Sequence, residues 1–392
     1  MKILCVGGGS GGHITPIVAV IRELKSPKYK KQVEPLEVRV WCDKKFSAQA
    51  KKLLVADGES VRVDVIPAGK LRRYANLKWW YRWFSPWHIV HTHIPNLIDS
   101  FKIVGGFIAS FFKLLVWRPD VVFCKGGYVS LPVGLVASKF HIPLVIHDSD
   151  TVPGLTNRML APHASAIGTG APVKNYPSYN KKITKFVGIP VSSDVKTISA
   201  AEKTKLKKQL KLDPKRPLIL AMGGGLGAVA INEAIKANAA KLVKAGYEVI
   251  LLAGKGKEVD IPKKLQKYIH VYDFSNQVTK FEQAADVVIT RAGATTMAEL
   301  AAIGVATIII PSPYLAGDHQ TKNAKVYEKA GAAVVLNEFE LRDKPQILMD
   351  AVDDLIDHKT KRAELAKNLH TFAKSDALQQ MTDMIIKAGI TA

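Results

Sequence analysis

The chain has 392 residues, of which 47% are hydrophobic and 23% are charged, and this composition is that of a globular protein rather than a disordered or fibrous one. Its length indicates two domains of nearly two hundred residues each. The formal net charge of +22 predicts an anionic partner, and the lack of zinc-finger spacing, basic-zipper heptads and RNP-like aromatic motifs favours membrane and phosphate groups over nucleic acid.

Short β-branched apolar runs alternate with helical patterns along the chain, which predicts parallel sheets with crossover helices. The first predicted strands lie at 2–7, 37–42, 60–67, 121–127 and 143–149. After a polar stretch at 174–185 and a turn-prone segment at 188–194, the pattern resumes at 217–224, 248–254, 268–274, 286–291 and 306–313. We therefore expect an α/β protein with two Rossmann-like domains, residues 1–188 and 189–369, facing each other across a cleft. The helix at about 370–392 is expected to pack back on the first domain.

The three cysteines follow no metal or disulfide spacing, and each lies in a predicted strand: Cys5, Cys42 and Cys124. This pattern indicates core thiols in a reducing cytoplasm. The first predicted strand begins two residues into the sequence and leaves no room for the charged and apolar regions of a secretory signal. We therefore expect a cytoplasmic location.

A glycine loop, Gly7 to Gly12, follows the first strand and leads into His13 and the helix-starting pair Thr15-Pro16. Glycines let the backbone turn tightly and present N–H groups at the positive end of a helix, which suits an anion or a closely packed sugar. The density of glycines favours this binding role over a simple turn between strand and helix.

The same loop satisfies G-x-G-x-x-G through Gly7, Gly9 and Gly12, which keeps a nicotinamide-dependent oxidoreductase as an alternative. That class requires an acidic residue about 20 residues further on to bind the ribose. Asp43 has the expected topology but stands 31 residues beyond Gly12. The alternative also leaves the glycine loops of the second half unexplained.

A basic and aromatic stretch at 70–87 holds four of the six tryptophans within nine residues. Trp and Tyr suit the headgroup region of a bilayer, and neighbouring Lys and Arg suit anionic lipid. We predict a membrane-contacting patch formed by Trp79, Trp80, Trp83, Phe84 and Trp87.

The apolar stretch at 103–117 is interrupted by Lys113 and is shorter than the roughly 20 residues needed to cross a bilayer. A helix at 101–117 is therefore expected to be a buried crossover connection. His91 and His93 have no neighbouring carboxylate or thiol in the sequence, so no metal site is predicted there.

Three segments of the second half carry binding chemistry. Residues 223–228 form a second glycine loop, and residues 291–296 open a helix whose N–H groups can hold a diphosphate. Glu299, one turn into that helix, offers two acceptors to a ribose diol. Gln320 and Asn323 lie three residues apart, on one helical face, and can hydrogen-bond to sugar hydroxyls.

These segments together resemble the MurG family of UDP-N-acetylglucosamine transferases, which complete lipid II in peptidoglycan synthesis. The resemblance covers almost the whole chain. It rests on the order of the motifs at 7–16, 125–137, 152–161, 187–194, 223–228, 290–300 and 317–324. It implies a GT-B fold and the inverting transfer of GlcNAc from UDP-GlcNAc to undecaprenyl-diphosphate-MurNAc-peptide (lipid I). It also implies no cofactor, no metal and a peripheral position on the cytoplasmic face of the bacterial cell membrane.

The resemblance also implies roles for individual residues. The acceptor side comprises Tyr128, Asp148 and Asp150. The residues assigned to donor binding are Ser10, Gly11, Gly12, Gly225, Arg291, Gly293, Ala294, Thr295, Thr296, Glu299, Gln320 and Asn323.

The catalytic base has two candidates. His13 has an intrinsic pKa near neutrality, whereas Asp150 needs burial to become a comparable base. Asp150 stands where the family generally has Asn, which cannot act as a base.

The chain also departs from the family pattern at donor and acceptor positions. The family has His-Glu-Gln-Asn where this chain has His-Asp-Ser-Asp at 147–150. Other departures are Ile189, Ser192, Gly225 and Leu226. These differences leave a related transferase with another sugar or lipid acceptor as an alternative.

Overall fold

The computed structural model describes residues 1–9, 11–56, 61–70, 85, 89–224, 227–314 and 318–391. The chain divides into two units. The first unit comprises Met1–Ser192 and Asp376–Ala392, and the second comprises Ser193–Ser375. The sequence pattern had placed these divisions at 188 and about 370. Side-chain contacts account for the difference, because Arg22 donates a hydrogen bond to the Ser192 hydroxyl at 2.7 Å and His370 Nδ1 lies 2.8 Å from the Ala301 carbonyl oxygen of the second unit.

A seven-stranded parallel sheet forms the centre of the first unit, in the order β3-β2-β1-β4-β5-β6-β7. Its strands are β1 (Lys2–Gly7), β2 (Glu37–Cys42), β3 (Arg62–Val65), β4 (Val121–Gly126), β5 (Leu144–Asp148), β6 (Ala166–Thr169) and β7 (Thr184–Phe186). Its helices are α1 (Gly11–Leu24), α2 (Pro27–Val33), α3 (Lys44–Ala56), α4 (Ile94–Val116), α5 (Ser130–Lys139), α6 (Leu155–Leu160) and, at the end of the chain, α15 (Ala377–Ile390).

The central strands of this sheet are apolar on both faces because helices cover both sides. Side chains alternate along β1. Ile3 and Cys5 enter a core that includes α1 and α15, and Leu4 and Val6 enter a core on the opposite face. The first core explains why the last helix belongs to the first unit, since Met381 of α15 is buried in it.

The second unit has a six-stranded parallel sheet in the order β10-β9-β8-β11-β12-β13. Its strands are β8 (Leu218–Met222), β9 (Glu248–Leu252), β10 (Ile269–Tyr272), β11 (Val287–Thr290), β12 (Ala306–Ile309) and β13 (Val334–Val335). Its helices are α7 (Ala200–Gln209), α8 (Val229–Lys244), α9 (Val278–Ala284), α10 (Ala294–Ile303), α11 (His319–Lys329), α12 (Glu338–Asp343), α13 (Gln346–Asp357) and α14 (Lys359–His370).

Helix α4 corrects one expectation, because the predicted burial of the helix at 101–117 is wrong. Its large apolar side chains point to solvent, with Phe101 71% exposed. The exposed side chains recur every three or four residues along one stripe: Ile94, Leu97, Ile98, Phe101, Val104, Ile108, Phe111, Phe112 and Leu115. We call this stripe the apolar face of α4.

The opposite side of α4 packs on the first unit through small and polar residues. Asp99, Gly106, Ser110 and Leu114 are buried there. A Cβ atom at Gly106 would lie 2.4 Å from the Pro67 carbonyl oxygen, so the close approach requires glycine. Apolar content alone does not reveal which side of a helix is buried, which is why the prediction failed. No helix in the described ranges meets the length and hydropathy needed to cross a membrane.

Candidate functional site

His13 lies in the first turn of α1, directly after the glycine loop. Its Nδ1 atom is 2.5 Å from the carbonyl oxygen of Gly8. A carbonyl can only accept, so Nδ1 carries the proton and Nε2 is the ring nitrogen with the lone pair. Burial and the positive charge of Lys125 lower the pKa of His13 below its usual value, and the bond to Gly8 partly opposes them. The imidazole is therefore neutral and basic at Nε2 near neutral pH.

Asp43, directly after β2, connects the glycine loop to Tyr128, which was predicted to lie on the acceptor side. Its carboxylate accepts hydrogen bonds from the Gly9 amide at 3.0 Å, from the Phe46 amide at 2.8 Å and from the Tyr128 hydroxyl. The side chain is buried. Because its acceptors are engaged in this way, Asp43 is not presented to a ribose as the oxidoreductase alternative requires.

Lys125 and Ser149 begin a directional chain of hydrogen bonds. The Lys125 ammonium donates to the Ser149 hydroxyl, which in turn lies 3.4 Å from Nδ1 of His147. The other ring nitrogen of His147 is 2.7 Å from the Gly188 carbonyl oxygen and donates to it. Burial and the Lys125 charge hold the pKa of His147 well below its usual value, so this ring is neutral. Burial also lowers the pKa of Lys125 to about 8, against the opposing effects of Asp148 and Asp150.

The two aspartates after β5 differ in what their side chains do. Asp148 is buried, and its carboxylate accepts from the Tyr179 hydroxyl at 2.7 Å and from the Gly154 amide at 3.0 Å. Burial raises the pKa of Asp148, and these bonds oppose the rise. Asp148 therefore positions the 149–154 loop. Asp150 is half-buried, and its backbone carbonyl accepts from the Tyr176 hydroxyl at 2.5 Å.

Asn157 of α6 lies near Gly126, as does His13. A Cβ atom at Gly126 would lie 3.4 Å from Nδ2 of Asn157 and 3.8 Å from Nε2 of His13. Asn157 donates to the His147 carbonyl oxygen at 3.1 Å. Its buried Oδ1 atom has no hydrogen-bond partner within the described part of the chain. The carboxyl ends of β1, β4 and β5 thus bring His13, Lys125 and Asn157 to one edge of the first sheet.

In the second unit, Glu299 lies on α10 beside a second carboxyl, Glu282 of α9. Burial and the negative charge of Asp194 raise the pKa of Glu299 to about 7. Burial and the charge of Glu299 raise the pKa of Glu282 well above its usual value. Glu299 therefore titrates near neutral pH, and the two neighbouring carboxyls each disfavour ionisation of the other.

Arg291, just before α10, is held by the buried carboxylate of Glu338. Its guanidinium donates to Glu338 at 2.5 Å and to the Ile310 carbonyl oxygen at 2.9 Å. Arg342 donates to the same carboxylate. The guanidinium groups of Arg291 and Arg342 thus neutralise the buried Glu338 carboxylate. These contacts hold the turn before α10 in place.

The other described residues of the second unit that were predicted to bind the donor also lie at the carboxyl ends of β11 and β12, whereas Gly11 and Gly12 begin α1 of the first unit. Gly293 is the N-cap of α10, and Ala294, Thr295 and Thr296 form its first turn. Gln320 accepts from the Ser312 amide at 2.9 Å. Asn323 is buried and donates to the Ala292 carbonyl oxygen at 3.1 Å. Both side chains are thereby oriented toward the loops that follow the strands.

The predicted site residues therefore collect at one sheet edge in each unit. Ser10 and Gly225 lie outside the described residues, as do the predicted membrane patch residues Trp79, Trp80, Trp83, Phe84 and Trp87. Four residues that shape the two edges were not predicted from the sequence: Lys125, Asn157, Glu282 and Glu338. A usable signal existed for Lys125, because a lysine at the end of an otherwise apolar strand is unusual. In the described part of the chain, no three His, Cys, Asp or Glu side chains lie together in a way that could hold a metal ion.

Comparisons with known proteins agree with this arrangement. Residues 218–381 match the glycosyltransferase family 28 C-terminal domain, and residues 87–169 match the N-terminal domain of that family. A UDP-N-acetylglucosamine–N-acetylmuramyl-(pentapeptide) pyrophosphoryl-undecaprenol N-acetylglucosamine transferase from Clostridium kluyveri is 30% identical over 98% of this chain and 98% of its own length. The transferase of the same name from Clostridium perfringens is 31% identical over 92% of this chain and 91% of its own.

Solved structures share the architecture. Acinetobacter baumannii MurG superposes with a TM-score of 0.67 at 24% identity, over 98% of this chain and 99% of its own. A UDP-GlcNAc 2-epimerase from Neisseria meningitidis has a TM-score of 0.66 at 12% identity, over 99% of this chain and 100% of its own. The predicted GT-B fold is confirmed, but a fold shared with an epimerase does not identify the reaction. The family 28 domains and the identity to the curated transferases show a glycosyltransferase, which excludes the oxidoreductase alternative. The chain is a glycosyltransferase of family 28 and belongs within it to the MurG family.

Proposed function

We propose that the protein transfers GlcNAc from UDP-GlcNAc to a muramoyl peptide carried on undecaprenyl diphosphate, the lipid I of peptidoglycan synthesis. The relatives are named for these two substrates. The observation that carries the proposal is His13, whose Nδ1 proton is held by Gly8 so that Nε2 is left as a base. The second unit supports it with a helix N-terminus and an acidic residue suited to a nucleotide diphosphate.

The donor occupies the second unit in this proposal. Backbone N–H groups at the start of α10 meet the diphosphate, because the positive end of a helix favours an anion. Glu299, one turn later, accepts hydrogen bonds from the ribose hydroxyls. Gln320 and Asn323 contact the GlcNAc hydroxyls. The Arg291–Glu338 pair keeps the turn before α10 in place rather than binding substrate directly.

The acceptor occupies the first unit, and His13 is the catalytic base. As the acceptor hydroxyl oxygen attacks the anomeric carbon, its proton passes to Nε2 of His13, and the bond from that carbon to the UDP oxygen breaks. The configuration at the carbon inverts. The lowered pKa of His13 keeps the ring unprotonated before the attack. Asp150 remains the competing base, whereas Asp148 is engaged with Tyr179 and Gly154.

The apolar face of α4 supports a position on the cytoplasmic face of the bacterial cell membrane, where the lipid acceptor resides. A stripe of exposed Phe, Ile, Leu and Val side chains on one helix is typical of a helix lying in the membrane interface. The net charge of +22 adds attraction to anionic lipid. In this proposal α4 contributes to the membrane contact together with the tryptophan stretch predicted from the sequence.

One observation keeps a transferase with another donor sugar as the second candidate. Ser192 stands where the family generally has Arg, and its hydroxyl accepts from Arg22 of the first unit. A donor contact of the family is therefore changed in this chain.

The test is a competition of UDP-GlcNAc, UDP-GalNAc and UDP-glucose at equal concentration for transfer to the lipid-linked acceptor. We expect GlcNAc in the product. A product carrying mainly another sugar would favour the second candidate. No transfer from any donor would refute the proposed function.

A further inference from the structure

Lys125 is a buried cation at a position where the sheet otherwise carries apolar side chains. It is 1% exposed and is the second-last residue of β4. Lys125 has no paired residue on β1, because Val6 pairs with Cys124 and the next residue, Gly7, pairs with Gly126. Lys125 is thus the extra residue where the register between the two strands shifts. An extra residue of this kind redirects a side chain, and β-bulges, which have one, occur often beside active sites.

The ammonium of Lys125 has fewer partners than a buried cation requires. It carries three N–H donors. Within the described residues, the Ser149 hydroxyl supplies its hydrogen bond, and no carboxylate forms a salt bridge with it. Burying a cation is costly unless it is paired, and burial accordingly lowers the pKa of this group to about 8.

The neighbouring polar groups are engaged elsewhere. The Ser149 hydroxyl donates toward Nδ1 of His147. The Asp148 carboxylate accepts hydrogen bonds from Tyr179 and Gly154. The backbone after Lys125 touches the glycine loop, since a Cβ atom at Gly127 would lie 2.3 Å from the Gly8 carbonyl oxygen. The charge of Lys125 also acts on His13, the proposed base. The ammonium therefore lies close to His13 and the glycine loop, beside the proposed acceptor site.

We propose that Lys125 binds a phosphate oxygen of the acceptor's diphosphate, so that the buried ammonium gains its counter-ion when the acceptor arrives. This inference rests on the proposed function and adds a residue that selects for the charged group of the acceptor. A phosphate oxygen accepts hydrogen bonds from an ammonium and balances its charge. An acceptor with a neutral group in place of the diphosphate would leave the cation as poorly paired as it is without substrate.

The experiment compares two acceptors in the full-length protein. One is the muramoyl peptide on a lipid diphosphate, and the other is the same muramoyl peptide on a neutral alkyl group. We expect Lys125→Met to lower kcat/KM for the diphosphate acceptor about 10- to 100-fold, the scale of a lost hydrogen bond to a charged group. The loss with the neutral acceptor should be much smaller, because only the effect of the Lys125 charge on His13 is removed there, and UDP affinity should be preserved.

Ser149→Ala is the matched control, because it removes the protein partner of the ammonium and keeps the charge. That variant should retain the preference for the diphosphate acceptor. Lys125→Gln repeats the comparison if the Met variant does not fold. Equal losses on both acceptors would overturn the inference while leaving the proposed function standing. If the parent protein used neither acceptor, the proposed function itself would fail.

Discussion

The Nδ1 atom of His13 lies 2.5 Å from the carbonyl oxygen of Gly8, and this contact determines which ring nitrogen can act as a base. Gly8 belongs to the glycine loop, so the loop that turns the chain from β1 into α1 also selects the tautomer of the histidine. The same relationship gives the loop a second role besides presenting N–H groups to an anion.

His13→Ala should reduce kcat about 10²–10⁴-fold, the usual contribution of a general base. UDP affinity should stay nearly the same, because the main donor contacts are proposed for the second unit and the variant leaves the backbone of the glycine loop in place. Asp150→Asn should cost much less. The measurement is steady-state turnover of the three proteins, with calorimetric UDP binding as the control. A larger loss in the Asp150 variant would make Asp150 the base and His13 a structural residue.

Glu299→Ala should weaken UDP binding by about 1.5–3 kcal/mol, because a hydrogen bond to a charged group is lost. Thermal unfolding should show that the variant still folds. Isothermal titration with UDP gives the difference directly. An unchanged dissociation constant in a folded Glu299→Ala protein would remove Glu299 from the donor site.

UDP affinity should rise as the pH increases through about 7. Burial and Asp194 raise the pKa of Glu299 to that value, so the carboxyl is protonated below it and ionised above it. Ribose hydroxyls donate more strongly to the ionised form. Titrations at about pH 6 and about pH 8 check this expectation around the Glu299 pKa.

Two variants separate Glu299 from the titration of UDP itself. Glu299→Gln should lose the protein's part of the pH dependence, and Asp194→Asn should move it to lower pH because it removes a negative neighbour. Identical pH profiles in the parent and the Gln variant would show that Glu299 does not titrate in the binding range.

Replacing Phe101, Ile108 and Phe112 together by Ser should lower binding to vesicles that contain anionic lipid. These side chains are exposed, so the stability of the protein should change little. Sedimentation with vesicles measures the bound fraction. Val229→Ser is the matched control, since Val229 is 55% exposed but lies on α8 of the second unit. Equal vesicle binding by the triple variant and the parent would remove α4 from the membrane contact.

Leu114→Ala tests the buried side of the same helix. Leu114 is fully packed in the core of the first unit, so its truncation should lower the free energy of unfolding by about 2–5 kcal/mol. Denaturant titration provides the value. A loss as small as that of the Ser variants would mean that α4 does not pack through this side.

The strands with continuous apolar runs could be predicted from the sequence, because both faces of a parallel sheet are buried. β6, β7 and β13 were missed for a physical reason. β6 has four residues, β7 lies at the edge of its sheet, largely inside a polar stretch, and β13 has only two residues. None of the three carries an alternating or continuous apolar pattern long enough to detect.

The candidate sites could be predicted where the binding groups lie in one continuous segment, as in the glycine loop and the turn before α10. Contacts between distant segments could not be predicted. Asp43 and Tyr128 are separated by 85 residues, and Arg291 and Glu338 by 47. The exposed side of α4 also depends on a long-range contact, since it follows from the packing of Gly106 on Pro67.

The most direct test of the central claim is the product formed from UDP-GlcNAc and the diphosphate-linked muramoyl peptide by the purified protein. Mass spectrometry should show one added N-acetylhexosamine, and the anomeric proton coupling in the NMR spectrum should show a β linkage, as inversion of the α-linked donor requires. Loss of this product in His13→Ala, with UDP still bound, would complete the expected result. An α-linked product, or no product from a protein that binds UDP, would contradict the account.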